Sequence, residues 1–256
     1  MSEYPDFSLG GKTALVTGAA RGLGRSISLA LADAGADVAL GLRRAGDAED
    51  LAAQVEAMGR RSMRVAMDVL DIAQIGSAVD AVVEEMGRID ILVNNAGLGP
   101  ENPAEDVDEA DYDLTFDTNV KGLFFTSQAV GRAMIRQGSG NIVNLSSQAG
   151  FIALPGEAIY CASKAAVSHL TKCMAVEWGQ HGINVNAVAP TFIRTPGTAP
   201  ALSDPAFSAD VVERIAALHR VGEPVDVAGA VVFLASPAAA LVTGTTLMVD
   251  GGWTAR

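Results

Sequence analysis

Thr13-Ala14-Leu15-Val16-Thr17 runs into Gly18-Ala19-Ala20-Arg21-Gly22-Leu23-Gly24 and then into RSISLALADAGA, residues 25–36. The order is an apolar strand, a glycine turn and an amphipathic helix. Phosphate binding calls for that order: glycines let backbone N–H groups approach a pyrophosphate, and a helix N-terminus adds positive potential. The spacing is G-x-x-x-G-x-G, whereas the common dinucleotide fingerprint is G-x-G-x-x-G. A tight turn with close strand–helix packing would call for the same glycines.

Outward from this unit the rhythm repeats. Asp37–Leu42, Met63–Asp68, Ile89–Asn94, Asn141–Ser146, Asn184–Ala189 and Thr246–Val249 read as six further strands, most of them continuously apolar. Such runs are expected of parallel strands covered on both faces, and the helical segments between them supply the crossovers. The expectation is a single α/β domain over residues 1–256, with a doubly wound, Rossmann-type seven-stranded parallel sheet. Three prolines, Pro196, Pro200 and Pro205, mark a long excursion after the sixth strand, and residues 191–220 are a candidate lid over a site. A plain surface excursion is the alternative. The uncharged run Val227–Val249 is broken by Ser236, Pro237 and Gly244, so it reads as helix, turn and strand, not as a membrane span.

Of the 256 residues, 49% are apolar and 19% charged, with 27 glycines, a composition that excludes disorder, coiled coils and collagen-like repeats. Lys and Arg number 18 against 30 Asp and Glu, a net charge of −12, which repels nucleic-acid backbones and anionic membranes. No nucleic-acid or membrane partner is expected. Cys161 and Cys173 form no C-x-x-C pair, and the three histidines are scattered, so neither a disulfide framework nor a metal site is predicted. The opening MSEYPDFSLG lacks the basic and apolar regions of a secretory signal, and a reducing cytoplasm is the expected compartment.

Cofactor choice should be made at the end of the second strand, where an acid would hold a ribose 2′-hydroxyl and a base would pair with a 2′-phosphate. The chain reads Gly41-Leu42-Arg43-Arg44 there. Arg43, with Arg44 or Arg21, favours NADP(H). With these arginines as a mere surface cluster, NAD(H) is the alternative. Further along, Tyr160 and Lys164 stand four apart in the helical pattern 158–178 and so share one face. A nearby ammonium favours phenolate, so Lys164 should pull the Tyr160 hydroxyl down from about 10, making it a general acid/base. A half-buried tyrosine beside a surface lysine would give the same spacing.

With TGAARGLG (17–24), Asp68-Val69, NNAG (94–97), Asn119-Val120-Lys121-Gly122, Ser146-Ser147, YCASK (160–164) and Val249-Asp250-Gly251-Gly252 in order, the chain resembles the short-chain dehydrogenase/reductase family over nearly its whole length. The resemblance implies hydride transfer between a nicotinamide cofactor and a secondary alcohol or ketone. Tyr160 would exchange the proton, Lys164 would bind the nicotinamide ribose, Ser147 would polarise the carbonyl, and Asn119 would anchor a water chain to Lys164. Gly18, Arg21, Gly22, Leu23, Gly24, Arg43, Asp68, Val69, Asn95, Ala96, Gly97, Pro190, Ile193 and Thr195 would hold the cofactor. Thr191 stands where the family usually has glycine, and its Cβ restricts φ there.

The chain's ending most resembles family members acting on sugar acids and polyols. Candidates to meet such a substrate are Gln148, Glu157 and Thr191 beside Ser147 and Tyr160, with Gly150, Leu154 and Phe192 nearby and Arg194 as a carboxylate partner. Acyl-carrier-protein and other small-ketone or steroid reductases share the catalytic set and form the rival reading. A dinucleotide-binding regulator without turnover is a third. A homotetramer is also implied, with helices around 111–137 and 158–180 against symmetry mates.

Overall fold

The computed structural model describes residues 4–255. In chain order its elements are β1 (Thr13–Thr17), α1 (Gly22–Asp33), β2 (Asp37–Leu42), α2 (Glu49–Ala57), β3 (Ser62–Ala66), α3 (Ile72–Met86), β4 (Ile91–Asn94), α4 (Glu109–Phe116), α5 (Leu123–Gln137), β5 (Gly140–Leu145), α6 (Ala158–Trp178), β6 (Ile183–Pro190), α7 (Ala199–Leu202), α8 (Pro205–Arg214), α9 (Pro224–Ala235) and β7 (Thr246–Val249). The seven strands form one parallel sheet in the order β3-β2-β1-β4-β5-β6-β7.

Strand period puts alternate residues on opposite faces, and each face finds its own helices. Ala14, Val16, Val38 and Leu40 pack with Ile27 and Leu31 of α1 and Val227 and Val231 of α9. Leu15, Ala39 and Val65 pack on the other side with Ile75 and Val79 of α3, Val130 and Met134 of α5 and Met174 of α6. Each such buried Val, Ile or Leu stabilises the fold by about 1.5–3 kcal/mol. At the sheet's amino-terminal edge, the buried Asp90 carboxylate accepts the Thr13 N–H at 3.0 Å and two Arg88 bonds at 2.9 and 2.6 Å. This ties β4 to β1 at the end away from the strand tips.

Strand limits differ from the sequence expectation by one or two residues, because pairing bonds continue past the regular ladder. Asp90 N–H still donates to Thr13 O at 2.8 Å, and Ser146 N–H to Val188 O at 2.9 Å. Met67 and Asp68, expected to close β3, lie beyond it. Val227–Val249 resolves into most of α9, a short 3-10 turn and β7, as the breakers require.

Residues 191–220 are more ordered than three prolines suggested. Pro200 and Pro205 start helices instead of breaking them: Pro205 opens α8 behind Asp204, whose side chain accepts the Ala206 N–H at 2.9 Å. The segment builds a small core of its own, with Leu202, Val211, Ile215 and Val221 around Trp253. Phe192 stacks on Trp253 at 5.8 Å between ring centres and meets Phe207 edge-on at 5.6 Å.

Candidate active site

The crossover direction reverses between β1 and β4, and a cleft of about 680 Å³ opens there outside the carboxyl ends of the strands. Its first wall is the glycine turn. Gly18 and Gly22 take φ of +63° and +55°, values that favour glycine, and α1 begins with no acid in its first turn, so its positive end is uncompensated. Gly24 has a different role: it does not line the cleft, and a Cβ there would lie 2.3 Å from Gly18 O. Its glycine is required by packing.

The Asn95–Gly97 loop is bolted to the end of β1. The Asn95 and Ala96 N–H groups both donate to Thr17 Oγ1 at 3.0 Å, and Asn95 Nδ2 donates to Thr17 O at 2.9 Å and Gly18 O at 3.1 Å. Gly97 faces Asn119 Oδ1 and Lys164 Nζ, at 3.2 and 3.3 Å from where a Cβ would sit. Beyond them the cleft is lined by Arg21, Leu23, Arg43, Arg44, Asp68 and Val69. Arg43 is 75% exposed and only loosely paired with Asp68 at 3.9 Å, so its guanidinium is available to an anionic ligand. A turn left bare for phosphates, with arginines beside it, fits a dinucleotide. Asp37, at the start of β2, accepts the Arg61 N–H at 2.8 Å.

The other end of the cleft collects Ser147, Tyr160 and Lys164. Ser147 leads a short 3-10 turn, its hydroxyl accepting the Ala149 N–H at 3.1 Å and donating to Gln148 Oε1 at 3.0 Å. Lys164 is 5% exposed and donates to Leu145 O at 2.8 Å. Its ammonium lies 5.5 Å from the Tyr160 ring centre. Ser146 is structural: its hydroxyl donates to Lys164 O at 3.0 Å and meets Ser168 Oγ at 2.7 Å.

The electrostatics correct one expectation. Burial pushes the Tyr160 hydroxyl up to about 12, a bond with Ser147 offsetting this in part and the Glu157 carboxyl adding to it. Burial likewise pushes Lys164 down to about 8. Desolvation is the largest cause, so Tyr160 holds its proton at neutral pH. Asn119 is held by direct bonds of its own. It sits one layer behind the cleft in a six-residue π-helical turn, 117–122, 1% exposed. Its side chain accepts the Leu98 N–H at 2.9 Å and donates to Leu98 O at 2.7 Å and Ser163 Oγ at 3.0 Å, with no bond to Lys164. The unusual turn thus aims one amide at the loop carrying Gly97 to Gly99.

Pro190, Thr191, Ile193 and Thr195 line the cleft, as do Gln148, Leu154, Glu157 and Phe192. Thr191 keeps out of the left-handed region, so its Cβ strains nothing, and its buried hydroxyl has no partner. Gly150 is not in the cleft; it packs on the backbone of α6. Arg194 is turned away as well, paired with Glu223 at 3.2 Å. Sequence reasoning missed Gly99, Glu101 and Thr118, which also line the cleft. The run Gly97-Leu98-Gly99-Pro100 was the only local signal for this loop. On α6, Val167 and Met174 are buried within the chain, while Val176 is 84% exposed.

Residues 18–254 match the family described as enoyl-(acyl carrier protein) reductase. D-threitol dehydrogenase of Mycolicibacterium smegmatis is 43% identical over 251 residues, spanning 98% of this chain and 96% of that one. The 3-oxoacyl-(acyl-carrier-protein) reductase of Staphylococcus epidermidis is 43% identical over 242 residues, 94% of this chain and 98% of its own. The crystal structure of a gluconate 5-dehydrogenase from Burkholderia cenocepacia, in complex with NADP and tartrate, superposes with a TM-score of 0.95 at 37% identity over 98% of both chains. The chain belongs to the short-chain dehydrogenase/reductase family, and its chemistry is oxidation and reduction at a CH–OH carbon. Equal identity to a polyol dehydrogenase and an acyl reductase leaves substrate choice to the cleft, not to the scaffold.

Proposed function

We propose that the protein is an NADP(H)-dependent dehydrogenase that interconverts a secondary alcohol and a ketone on a polyol, sugar or sugar acid. One observation carries this reading: Ser147, Tyr160 and Lys164 meet at one end of the same cleft that offers a bare glycine turn and Arg43 at the other. The two non-acyl relatives divide between an uncharged polyol and an aldonate.

The nicotinamide, when bound, supplies or accepts the hydride. Gly18, Arg21, Gly22 and Leu23 would hold its pyrophosphate and Arg43 the 2′-phosphate, with Asp68 and Val69 at the adenine. Asn95, Ala96 and Gly97 would support the ribose, Pro190 and Ile193 the carboxamide, and Thr195 the phosphates. Ser147 donates to the substrate oxygen. Tyr160, kept protonated by burial, delivers its proton as negative charge gathers on that oxygen. Lys164 would hold the nicotinamide ribose. Asn119 acts through Leu98 by fixing the loop against which Tyr160 packs. Gln148, Glu157 and Thr191 meet the rest of the substrate, beneath residues 191–220 as a lid on the single domain.

The equal match to an acyl reductase favours one second reading, reduction of acyl-carrier-protein thioesters. The −12 charge opposes it by repelling an acidic carrier. With Cys161 and Cys173 both free thiols, we place the protein in the cytoplasm, as a homotetramer in keeping with its family.

Titration with NADPH and NADH, followed by nicotinamide absorbance across polyols, aldonates, keto sugars and acetoacetyl thioesters, tests the reading. Tighter NADPH binding and turnover of a polyol, sugar or sugar acid are expected. Turnover of thioesters alone would favour the second reading. Cofactor binding without any turnover would favour a regulator.

A further inference from the structure

The charged groups lining the cleft are divided between its ends. Arg21, Arg43, Arg44, Asp47 and Asp68 stand at the end beyond β1, β2 and β3, while Glu101, Glu157 and Lys164 are at the Tyr160 end. Lys164 donates to Leu145 O, and Arg194, the candidate carboxylate partner, does not line the cleft and pairs with Glu223 at the surface. No uncommitted cation lines the substrate end among the described residues. Its carboxylates are brought together by the backbone: Asn102 N–H donates to Gly156 O at 2.9 Å, pinning the loop after β4 to the residue before Glu157. Burial pushes the Glu157 carboxyl up to about 7, and Glu101 adds to the rise, so the two share one electrostatic neighbourhood. The remaining polar groups are neutral: Gln148, and Thr191 with its buried, unpartnered hydroxyl.

Resting on the function proposed above, we propose that Glu157, backed by Glu101, makes the cleft selective for uncharged polyhydroxylated substrates and rejects their carboxylate-bearing counterparts. A carboxylate accepts hydrogen bonds from vicinal hydroxyls. A substrate carboxylate placed there would face like charge in a partly desolvated site, with no uncommitted side-chain cation to offset it.

Kinetics on matched pairs test this: a tetritol and its tetronate, a pentitol and its pentonate, a hexitol and its hexonate, each with NADP⁺ near pH 8.5. The uncharged member should have a kcat/KM at least about tenfold above its acid, an effect of roughly one interacting charge. Glu157→Gln should shrink that ratio several-fold through KM for the acid, with the NADPH dissociation constant unchanged as the check on folding. Glu101→Gln should act in the same direction and less strongly. Lowering the pH towards 6 should also compress the ratio in the parent protein, because Glu157 becomes neutral while the substrate acid stays ionised. The titratable groups facing Glu157 are Glu101 from the β4 loop and Tyr160 and Cys161 from α6. The effects of Tyr160 and Cys161 on catalysis are common to both members of a pair and cancel in the ratio, while Glu101 adds to the charge at Glu157. Acids turned over as well as or better than their partners, or a ratio unmoved by Glu157→Gln, would overturn the inference and leave the dehydrogenase reading standing. Turnover of no pair at all would overturn both.

Discussion

Gly99 leaves the space that the Tyr160 ring fills: a Cβ at position 99 would lie 2.5 Å from Tyr160 Cδ2 and 2.9 Å from Cγ. The tyrosine is therefore positioned from two sides, by its own helix and by a loop whose neighbour Leu98 is gripped by Asn119. Gly99→Ala should displace the ring by a few tenths of an ångström or more. A misplacement of about 1 Å at a catalytic group costs up to about a hundredfold, so kcat should fall at least about tenfold. NADPH affinity, measured by fluorescence titration, should stay within about a factor of two. An unchanged kcat would show that the ring position is not critical.

Tyr160→Phe should bind cofactor normally and lose at least about a hundredfold in kcat, the low end of what a general acid contributes. Spectroscopic titration of parent and variant adds an independent readout. Tyr160 should contribute no tyrosinate signal below about pH 10, since burial holds its proton. A tyrosinate appearing near pH 8 would mean that Lys164 outweighs desolvation after all.

Arg43→Ala should weaken NADPH about ten- to a hundredfold and NADH little, because a charge-assisted bond to a 2′-phosphate contributes about 1.5–3 kcal/mol. Equal losses for the two cofactors would make Arg43 a bystander, and the measurement is a pair of dissociation constants.

Glu157 also marks the pH dependence of stability. Its folded pKa is raised, so between about 4.5 and about 7 the native state binds more protons than the unfolded chain. The stability linked to that proton is present at the acid side and is lost as pH rises through 7. Glu157→Gln lacks this loss. Its Tm relative to the parent should therefore climb between about pH 5 and pH 7.5, and a flat difference would mean that Glu157 is effectively solvated.

The sheet and the cofactor wall were legible because they rest on local pattern: apolar runs, a glycine turn, two arginines at a strand end. Tyr160 and Lys164 were legible as a helical pair, but the state of Tyr160 was not, because desolvation depends on everything that covers a side chain and not on a neighbour four residues away. Asn119 followed the same division. Its residue type was visible, while the π-helical turn that aims it at Leu98 arises from tertiary packing. Glu101 and Gly99 escaped notice because their importance exists only once Asn102 and Gly156 bring two distant loops together. The prolines of 191–220 marked the excursion but not its helices, which Pro200 and Pro205 open in their first turns.

The anchoring of the sheet and the selection of substrate sit at opposite ends of the molecule. Asp90 and its partners lock the amino-terminal edge, and the groups proposed to choose a substrate, Glu101, Glu157 and Thr191, hang from three separate loops at the other. On that proposal, mutations at those tips should change what the cleft accepts without loosening the framework that places Tyr160. Such a molecule can be retuned to a new metabolite one loop at a time, and a directed-evolution campaign would gain most by randomising these positions together.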